Sequence, residues 1–449
     1  MSYGEDVAAQ GAVTMESQDS ASELNRARWA GFVGTLLENF DMVVYSMASA
    51  LVFNTIFFPK VSPAVGYIAS FGAYAVGFAA RPLGGLFFSR YGDRLGRKFV
   101  MVATLYLMGT ATFAIGLLPT YEQVGLLAPV LLVLCRTLQG FGAGAEMASA
   151  VVLLTEFAPK GKRGATTSLV WMGASVGFVI ASLVFIAAQQ LSKETFLEFG
   201  WRLVFLSSIV VTICAYIIRR KMKESPVFAE VKAQRRHEAH SPLREVFKYG
   251  RKPLWRVFFI NVGSHAHSYI YNAFVGAYLV GTVGIDAGAV PKLVLLGGIF
   301  AIPGAWLAGR AVDKWGRKPV NIAILALLVV GSAPAFMLMH TGNLWLISIV
   351  YVFGFVFAVE GAIAAQSPMF AELFGSRYRY AGLAVAREFS AIFGGGIAPM
   401  ICSALLLWYA NSYWPIAIYM MIIAGISLVQ CMAVPETRDR DLVDERDPD

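Results

Sequence analysis

Residues 92–98 read Gly92-Asp93-Arg94-Leu95-Gly96-Arg97-Lys98, and residues 312–318 read Val312-Asp313-Lys314-Trp315-Gly316-Arg317-Lys318. The two heptapeptides share an Asp and a Gly-Arg-Lys ending, and their aspartates lie 220 residues apart. Each follows a long apolar run. A weaker pair repeats the offset: Glu156 precedes Ala158-Pro159, and Glu372, 216 residues on, precedes Phe374-Gly375. Two matches at nearly one spacing mark two copies of a single structural unit.

The chain around these loops is apolar. Of its 449 residues 57% are hydrophobic and only 15% are charged, against about 25% charge in an ordinary soluble protein. Apolar runs recur from Phe32 to Val434, each of about 20 residues and so long enough to cross roughly 30 Å of hydrocarbon as a helix. We place spans at 30–57, 64–88, 99–119, 126–157, 165–189, 201–219, 255–282, 291–309, 319–340, 343–371, 380–408 and 413–434. The fold class expected is an all-α membrane protein of twelve transmembrane helices in two six-helix halves. The divisions are a polar tail over 1–28, a first half over 29–219, a basic linker over 220–254, a second half over 255–434 and a tail over 435–449. The leading tail lacks the basic-then-apolar pattern of a secretory signal.

The formal charge of +8 is a matter of topology. Thirty of the 37 Lys and Arg fall in loops and tails on the side of the two heptapeptides, twelve of them between Arg219 and Arg256. Four (Lys60, Lys193, Arg202, Lys292) fall on the other side, and three (Arg81, Arg136, Arg387) inside predicted helices. Basic loops are retained in the cytoplasm, so both termini are expected there, with the basic faces meeting membrane lipid. This distribution argues against nucleic acid as a partner. The cysteines at 135, 214, 402 and 431 stand singly in apolar segments and read as packing residues, with no metal spacing.

Several stretches resemble the major facilitator superfamily over about residues 28–440. They are the two loops, the run Arg136-Thr137-Leu138-Gln139-Gly140-Phe141-Gly142-Ala143-Gly144, and Pro435-Glu436-Thr437. Within that superfamily, Glu38-Asn39-Phe40-Asp41, Phe57-Phe58-Pro59, Arg81-Pro82-Leu83-Gly84-Gly85 and Glu224-Ser225-Pro226 resemble the metabolite:proton symporters. That group includes carriers of shikimate, 2-oxoglutarate, citrate, aromatic acids and proline or betaine. Gln366-Ser367-Pro368-Met369-Phe370-Ala371-Glu372 with Gly394-Gly395-Gly396 is most similar to the shikimate and aromatic-acid branch. The chain departs from the pattern at Asn39 and at Arg387-Glu388. The resemblance implies a monomeric carrier in a bacterial-type inner membrane. Its two halves rock around a site at mid-bilayer and take up a small organic acid with protons.

The charged residues inside the spans lead to the same place, because each costs about 2.5–3.5 kcal/mol on insertion scales unless a partner or polar cavity receives it. Glu38 and Asp41 are three residues apart and so share a helix face. At about 1.5 Å per residue from Ala30 they lie roughly 12 and 17 Å deep. Two carboxyls so placed resist ionising together, which suits them to hold a proton near neutrality; the alternative is a pair locked permanently to an arginine. Arg136, with Gln139 one turn on, offers a planar fork of donors matched to a carboxylate, or an inter-helix bridge to Glu38, Asp41 or Glu146. Arg387 supplies a second-half cation, to bind substrate or to be neutralised by Glu388 or Glu360. Glu146 is a further proton-coupling candidate, and His265 and His267 offer a minor relay or cavity lining. Arg81, placed near the inner end of its helix, is expected to snorkel or anchor a loop.

The gating candidates are Asp93, Arg94, Gly96 and Arg97 with Asp313, Gly316 and Arg317. In such turns the aspartate sits against a helix N-terminus while Arg97, Lys98, Arg317 and Lys318 stay at headgroup level, forming a latch that releases on rocking. The alternative is a basic loop that only sets topology.

No nucleotide-binding loop, metal-spaced His/Cys cluster or nucleophile elbow is present, so neither an enzyme nor a cofactor is expected. The rival readings are a zwitterion carrier, a drug:proton antiporter and a non-transporting sensor. The antiporter fits less well, because the fifth span, with Gly173 and Gly177, lacks the glycine-proline signature of resembling exporters.

Overall fold

The computed structural model describes residues 25, 28–29, 31–95, 97–144, 147–221, 242–442, 444 and 447. Side chains at 89–95, 97–99, 101, 147–150, 157, 211, 215, 218–221 and 242–243 are outside that description.

Among the described residues the helical stretches assemble into twelve rods. The first half holds α1 (31–51, continued by Phe53–Ile56), α2 (Pro63–Leu95), α3 (Arg97–Leu117), α4 (Leu127–Ala143 and Met147–Phe157) and α5 (Arg163–Ala188). Its last rod, α6, runs through Lys193–Thr195, Phe196–Gly200, Trp201–Leu206 and Ser208–Lys221. In the second half α7 runs through Arg251–Tyr269, Ile270–Phe274, Val275–Tyr278 and Leu279–Val283, followed by α8 (Ala289–Trp315) and α9 (Arg317–His340). Then come α10 (Leu344–Phe353, Gly354–Gly361, Ala362–Glu372), α11 (Arg379–Ala391, Ile392–Ile397, Ala398–Trp408) and α12 (Trp414–Met432). A short helix, Pro242–Lys248, lies in the described part of the expected linker.

Eight rods, α2, α5, α6 and α8–α12, contain segments long and apolar enough to cross a membrane, and α3 and α4 carry shorter apolar segments. Of the two remaining rods, α1 and α7, the second is polar because it buries Asn261, Ser264, His265, His267, Ser268 and Asn272 against its neighbours. Polar groups that cannot face lipid must face protein or a cavity.

Glycine sets the closest approaches. A Cβ on Gly84 would overlap the Phe141 carbonyl, and one on Gly140 the Gly77 carbonyl, so α2 and α4 pack backbone to backbone. A Cβ on Gly164 would likewise meet the Gly309 carbonyl, which brings α5 against α8 across the two halves. Further cross-half packing joins α2 to α11 and α10 to α4 and α5.

Segments of α7, α10 and α11 are π-helical, among them Ile270–Phe274, Gly354–Gly361 and Ile392–Ile397. Such turns are rare and concentrate at functional sites. Asn272 and Glu360 sit within the first two, and both face the space between the halves.

Candidate functional site

A cavity lies between the two halves. The first half contributes Glu38 and Asn39 from α1, Phe78 and Arg81 from α2, and Trp171 and Phe178 from α5. Facing them are His265, Ser268, Tyr269 and Asn272 of α7, Val359, Glu360 and Ile363 of α10, and Arg387, Glu388 and Ala391 of α11. All its charged side chains are buried.

Arg81 ties the halves together. Its Nη1 donates to Glu38 Oε1 at 2.7 Å, and its Nε donates to Glu388 Oε2 at 2.8 Å. One guanidinium fork thus holds a carboxylate from each half, the bidentate use for which arginine is suited. This corrects the expectation that Arg81 snorkels. α2 extends past the predicted 88 to Leu95, so Arg81 lies about 27 Å from its start and about 21 Å from its end at 1.5 Å per residue. Only 4% of it is exposed.

The Arg387 guanidinium lies 5.2 Å from the Trp171 ring centroid, within cation–π range. That ring is fixed by a 2.8 Å bond from its Nε1 to Ser367 Oγ. His265 places Nδ1 3.2 Å from the Asn261 carbonyl and stacks on Tyr269, with centroids 6.0 Å apart. Among the described residues, three buried oxygens lining the cavity have no hydrogen-bond partner: Glu38 Oε2, Asn272 Oδ1 and Glu360 Oε2.

Arg136 and Gln139 belong to a second, adjoining network and do not line the cavity. Arg136 Nη1 donates to Gln139 Oε1 at 2.5 Å, Gln139 Nε2 to Thr112 Oγ1 at 2.5 Å, and Thr112 Oγ1 to Asp41 Oδ2 at 2.9 Å. The guanidinium lies against the rings of Tyr45 and Tyr74, 3.9 and 4.8 Å from their centroids. Among the described residues it makes no ion pair. Asp41 faces a smaller void, also bordered by Glu38, Leu105, Met108 and Thr212. Glu38 therefore stands between the two networks.

At the end of the bundle carrying the basic loops, the halves are bolted by charge. Asp313 accepts from the backbone N–H of Gly164 and Ala165 at the start of α5, both at 2.8 Å; negative charge is favourable at a helix N-terminus. Arg317 bonds Asp313 at 2.9 Å and Glu372 at 3.1 Å, Arg163 reaches Glu372 at 3.1 Å, and Arg379 reaches Glu156 at 2.9 Å. Arg317 is fully buried, where the sequence reading put it at headgroup level. The cause is Glu372, which draws two guanidiniums inward. Gly316, at φ 101°, makes the turn that starts α9.

Residues after α12 strap this junction. Thr437 Oγ1 donates to Glu372 at 2.8 Å, Arg440 donates to the Glu372 carbonyl, and Glu436 accepts from the backbone N–H of Arg317 and Lys318. Asp447 accepts from Gly375 N and the Tyr378 hydroxyl. Burial, with this carboxylate, raises the Tyr378 phenol above its ordinary range.

Of the candidates read from sequence, the cavity thus brings together Glu38 and Arg387, while Asp41, Arg136 and Gln139 form the neighbouring network. His265 lines the cavity. His267 instead bridges the Gly263 carbonyl and Ser332 Oγ, at 3.0 and 3.1 Å. Asp93 and Arg94 end α2 and Arg97 begins α3, with side chains outside the description; Gly96 and Glu146 lie outside the described residues. Missed were Trp171, Ser268, Tyr269 and Asn272. The spacing of 265, 268, 269 and 272 marks one helical face, a signal present in the sequence.

Comparison with known proteins places these features. The model of the Major Facilitator Superfamily matches residues 32–399. The shikimate transporter of Escherichia coli (strain K12) is 34% identical over 428 residues, covering 93% of this chain and 96% of that protein. A putative proline/betaine transporter of Staphylococcus aureus (strain COL) is 32% identical over 377 residues, covering 83% of this chain and 80% of its own length. Among solved structures, the crystal structure of a D-xylose-proton symporter matches with a TM-score of 0.72 at 18% identity, over 92% of this chain and 99% of the other. That likeness shows the same fold.

Proposed function

The chain belongs to the major facilitator superfamily and is a multi-pass inner-membrane transporter, not an enzyme; from that premise we propose that it takes up a small carboxylate together with protons. The observation that carries this is the buried guanidinium of Arg81, shared by Glu38 of one half and Glu388 of the other, in a cavity that also holds Arg387.

Charge balance supplies the coupling. The guanidiniums of Arg81 and Arg387 offset the carboxylates of Glu38 and Glu388. A substrate carboxylate adds one negative charge at buried cations, and an uncompensated buried charge costs about 3–5 kcal/mol. A proton taken up by Glu38 restores the balance and loosens one of the two holds on Arg81. Loading then frees the halves to move. An empty carrier keeps both bonds, and a carrier loaded with acid and proton together crosses. Asp41, linked through Thr112 and Gln139 to Arg136, and bordering the same void as Glu38, offers the route by which the proton arrives. Glu146 retains its candidacy on sequence grounds alone.

The halves that move are residues 29–219 and 255–434, joined by the linker 220–254, with tails 1–28 and 435–449 in the cytoplasm. The basic-loop bias supports this orientation. The Asp313–Arg317–Glu372–Arg163 cluster then closes the cytoplasmic side and separates when that side opens. The carrier is expected to work as a monomer.

A second reading is symport of a zwitterion such as proline or betaine. The unpartnered carboxyl of Glu360 favours it, as a seat for a cationic end, and one relative bears that name. The test is uptake of labelled shikimate, protocatechuate, hydroxybenzoate, 2-oxoglutarate and proline into proteoliposomes, with and without an inward proton gradient. Gradient-dependent accumulation of an acid supports the proposal. Proline alone moves the assignment to zwitterions, and uptake indifferent to the gradient refutes coupling for that solute.

A further inference from the structure

The unsatisfied oxygens of the cavity say what the rest of the substrate looks like. Asn272 and Glu360 are 6% and 2% exposed, and Asn272 Oδ1 and Glu360 Oε2 each lack a hydrogen-bond partner among the described residues. Buried polar atoms are paired in the great majority of cases, and leaving one unpaired costs free energy. Here two such atoms on different helices line one cavity, and each sits in a π-helical turn, Ile270–Phe274 and Gly354–Gly361. A π turn shifts the register of the side chains that follow it, and this is one way a helix re-aims a polar group at a ligand.

Both atoms are acceptors, so what completes them must bring donors. Ser268 lies one helical turn before Asn272, Val359 and Ile363 flank Glu360 along α10, and the same cavity holds the guanidiniums of Arg81 and Arg387. Neutral donors, hydroxyl groups, suit such a site better than a charged one, because a cation would share the cavity with two guanidiniums of like charge. Resting on the carboxylate reading above, we propose that Asn272 and Glu360 form a second subsite that recognises hydroxyl groups on the acid, so that the preferred substrates are hydroxylated carboxylic acids. Arg387 and Arg81 select for the carboxylate, and the Asn272–Glu360 pair selects among carboxylates.

A site built to bond a hydroxyl penalises the analogue that lacks it, since its own polar groups are then left unpaired. The test is calorimetric titration of the purified full-length protein in detergent with two matched pairs: 4-hydroxybenzoate against benzoate, and shikimate against cyclohexene-1-carboxylate. The hydroxylated member should bind at least about tenfold more tightly. Glu360→Leu and Asn272→Ala should each bring that ratio down to within about twofold of unity, and Glu360→Gln, which keeps a donor and an acceptor, should retain most of it. Size-exclusion behaviour checks that each variant is folded, and Glu360→Gln and Asn272→Ala carry the test if Glu360→Leu is not. An unaltered ratio in Asn272→Ala and Glu360→Leu overturns the proposal, as does a wild type blind to the hydroxyls. Wild type that binds neither acid of a pair, or an Arg387→Gln variant with undiminished affinity for both, contradicts the carboxylate reading itself. Tight binding of proline that disappears in Glu360→Leu overturns the hydroxyl assignment in favour of a cation.

Discussion

Replacing Glu38 by glutamine should uncouple accumulation from the proton gradient without abolishing movement of substrate. The amide keeps an oxygen where Oε1 accepts from Arg81 at 2.7 Å, so the bond survives in neutral form. Charge-assisted bonds are roughly twice as strong as neutral ones, so the loss at this contact is about 1 kcal/mol, well below the 3–5 kcal/mol of breaking a buried pair outright. Arg81 also keeps Glu388 as an anionic partner at 2.8 Å, so its guanidinium is not stranded and the variant should fold. What it cannot do is gain and lose a proton. A carrier moving one proton per monoanion concentrates its substrate about tenfold for each unit of pH difference, since one unit corresponds to about 1.4 kcal/mol. With an imposed difference of two units, wild-type proteoliposomes should approach about a hundredfold accumulation. Glu38→Gln should reach a ratio near one while still exchanging labelled for unlabelled acid. Wild-type accumulation by this variant would show that Glu38 carries no coupled proton.

Three further outcomes follow from the same geometry. Arg81→Lys should lose at least about tenfold in uptake, because a single ammonium cannot hold Glu38 and Glu388 with the two-pronged geometry of a guanidinium; uptake rates at equal membrane abundance check this. Glu372→Gln removes the anion shared by Arg163 and Arg317, at a cost of about 3–5 kcal/mol for stranded buried charge. It should speed labelling of a cysteine placed at the buried position Ser168 in a background lacking the four native cysteines. Gly140→Leu should fail to yield monodisperse protein, because any Cβ there overlaps the Gly77 carbonyl and forces α2 from α4; size-exclusion chromatography reads the result.

The fold was legible because its causes are local and repeated. Twelve apolar runs, two Asp-x-x-Gly-Arg-Lys loops at one offset and a one-sided distribution of Lys and Arg are properties of short stretches. The site was legible only in part. Glu38 and Arg387 announced themselves as charges in apolar helices, and both line the cavity. Arg81 did not, because its depth depends on how far α2 continues beyond the apolar run, and the loop residues after 88 are polar whether helical or not. The partnership of Arg81 with Glu388 spans 307 residues, a pairing that no single-helix periodicity can express. Arg136 has the residue type expected of a substrate ligand, yet it packs against the rings of Tyr45 and Tyr74 outside the cavity, and ring packing across three helices is a tertiary fact. Arg317 was misplaced for a similar reason: what draws it inward is Glu372, on a different helix.

The most direct test of proton–acid coupling is the simultaneous measurement of proton and acid movement. A weakly buffered suspension of proteoliposomes receives the labelled acid that the uptake panel identifies, with no imposed gradient, and the external pH and internal label are followed together. The account predicts that the medium turns alkaline as the acid enters, with one proton disappearing for each negative charge taken up, and that this coupled signal is lost in Glu38→Gln. Entry of the acid with no change in external pH would contradict it.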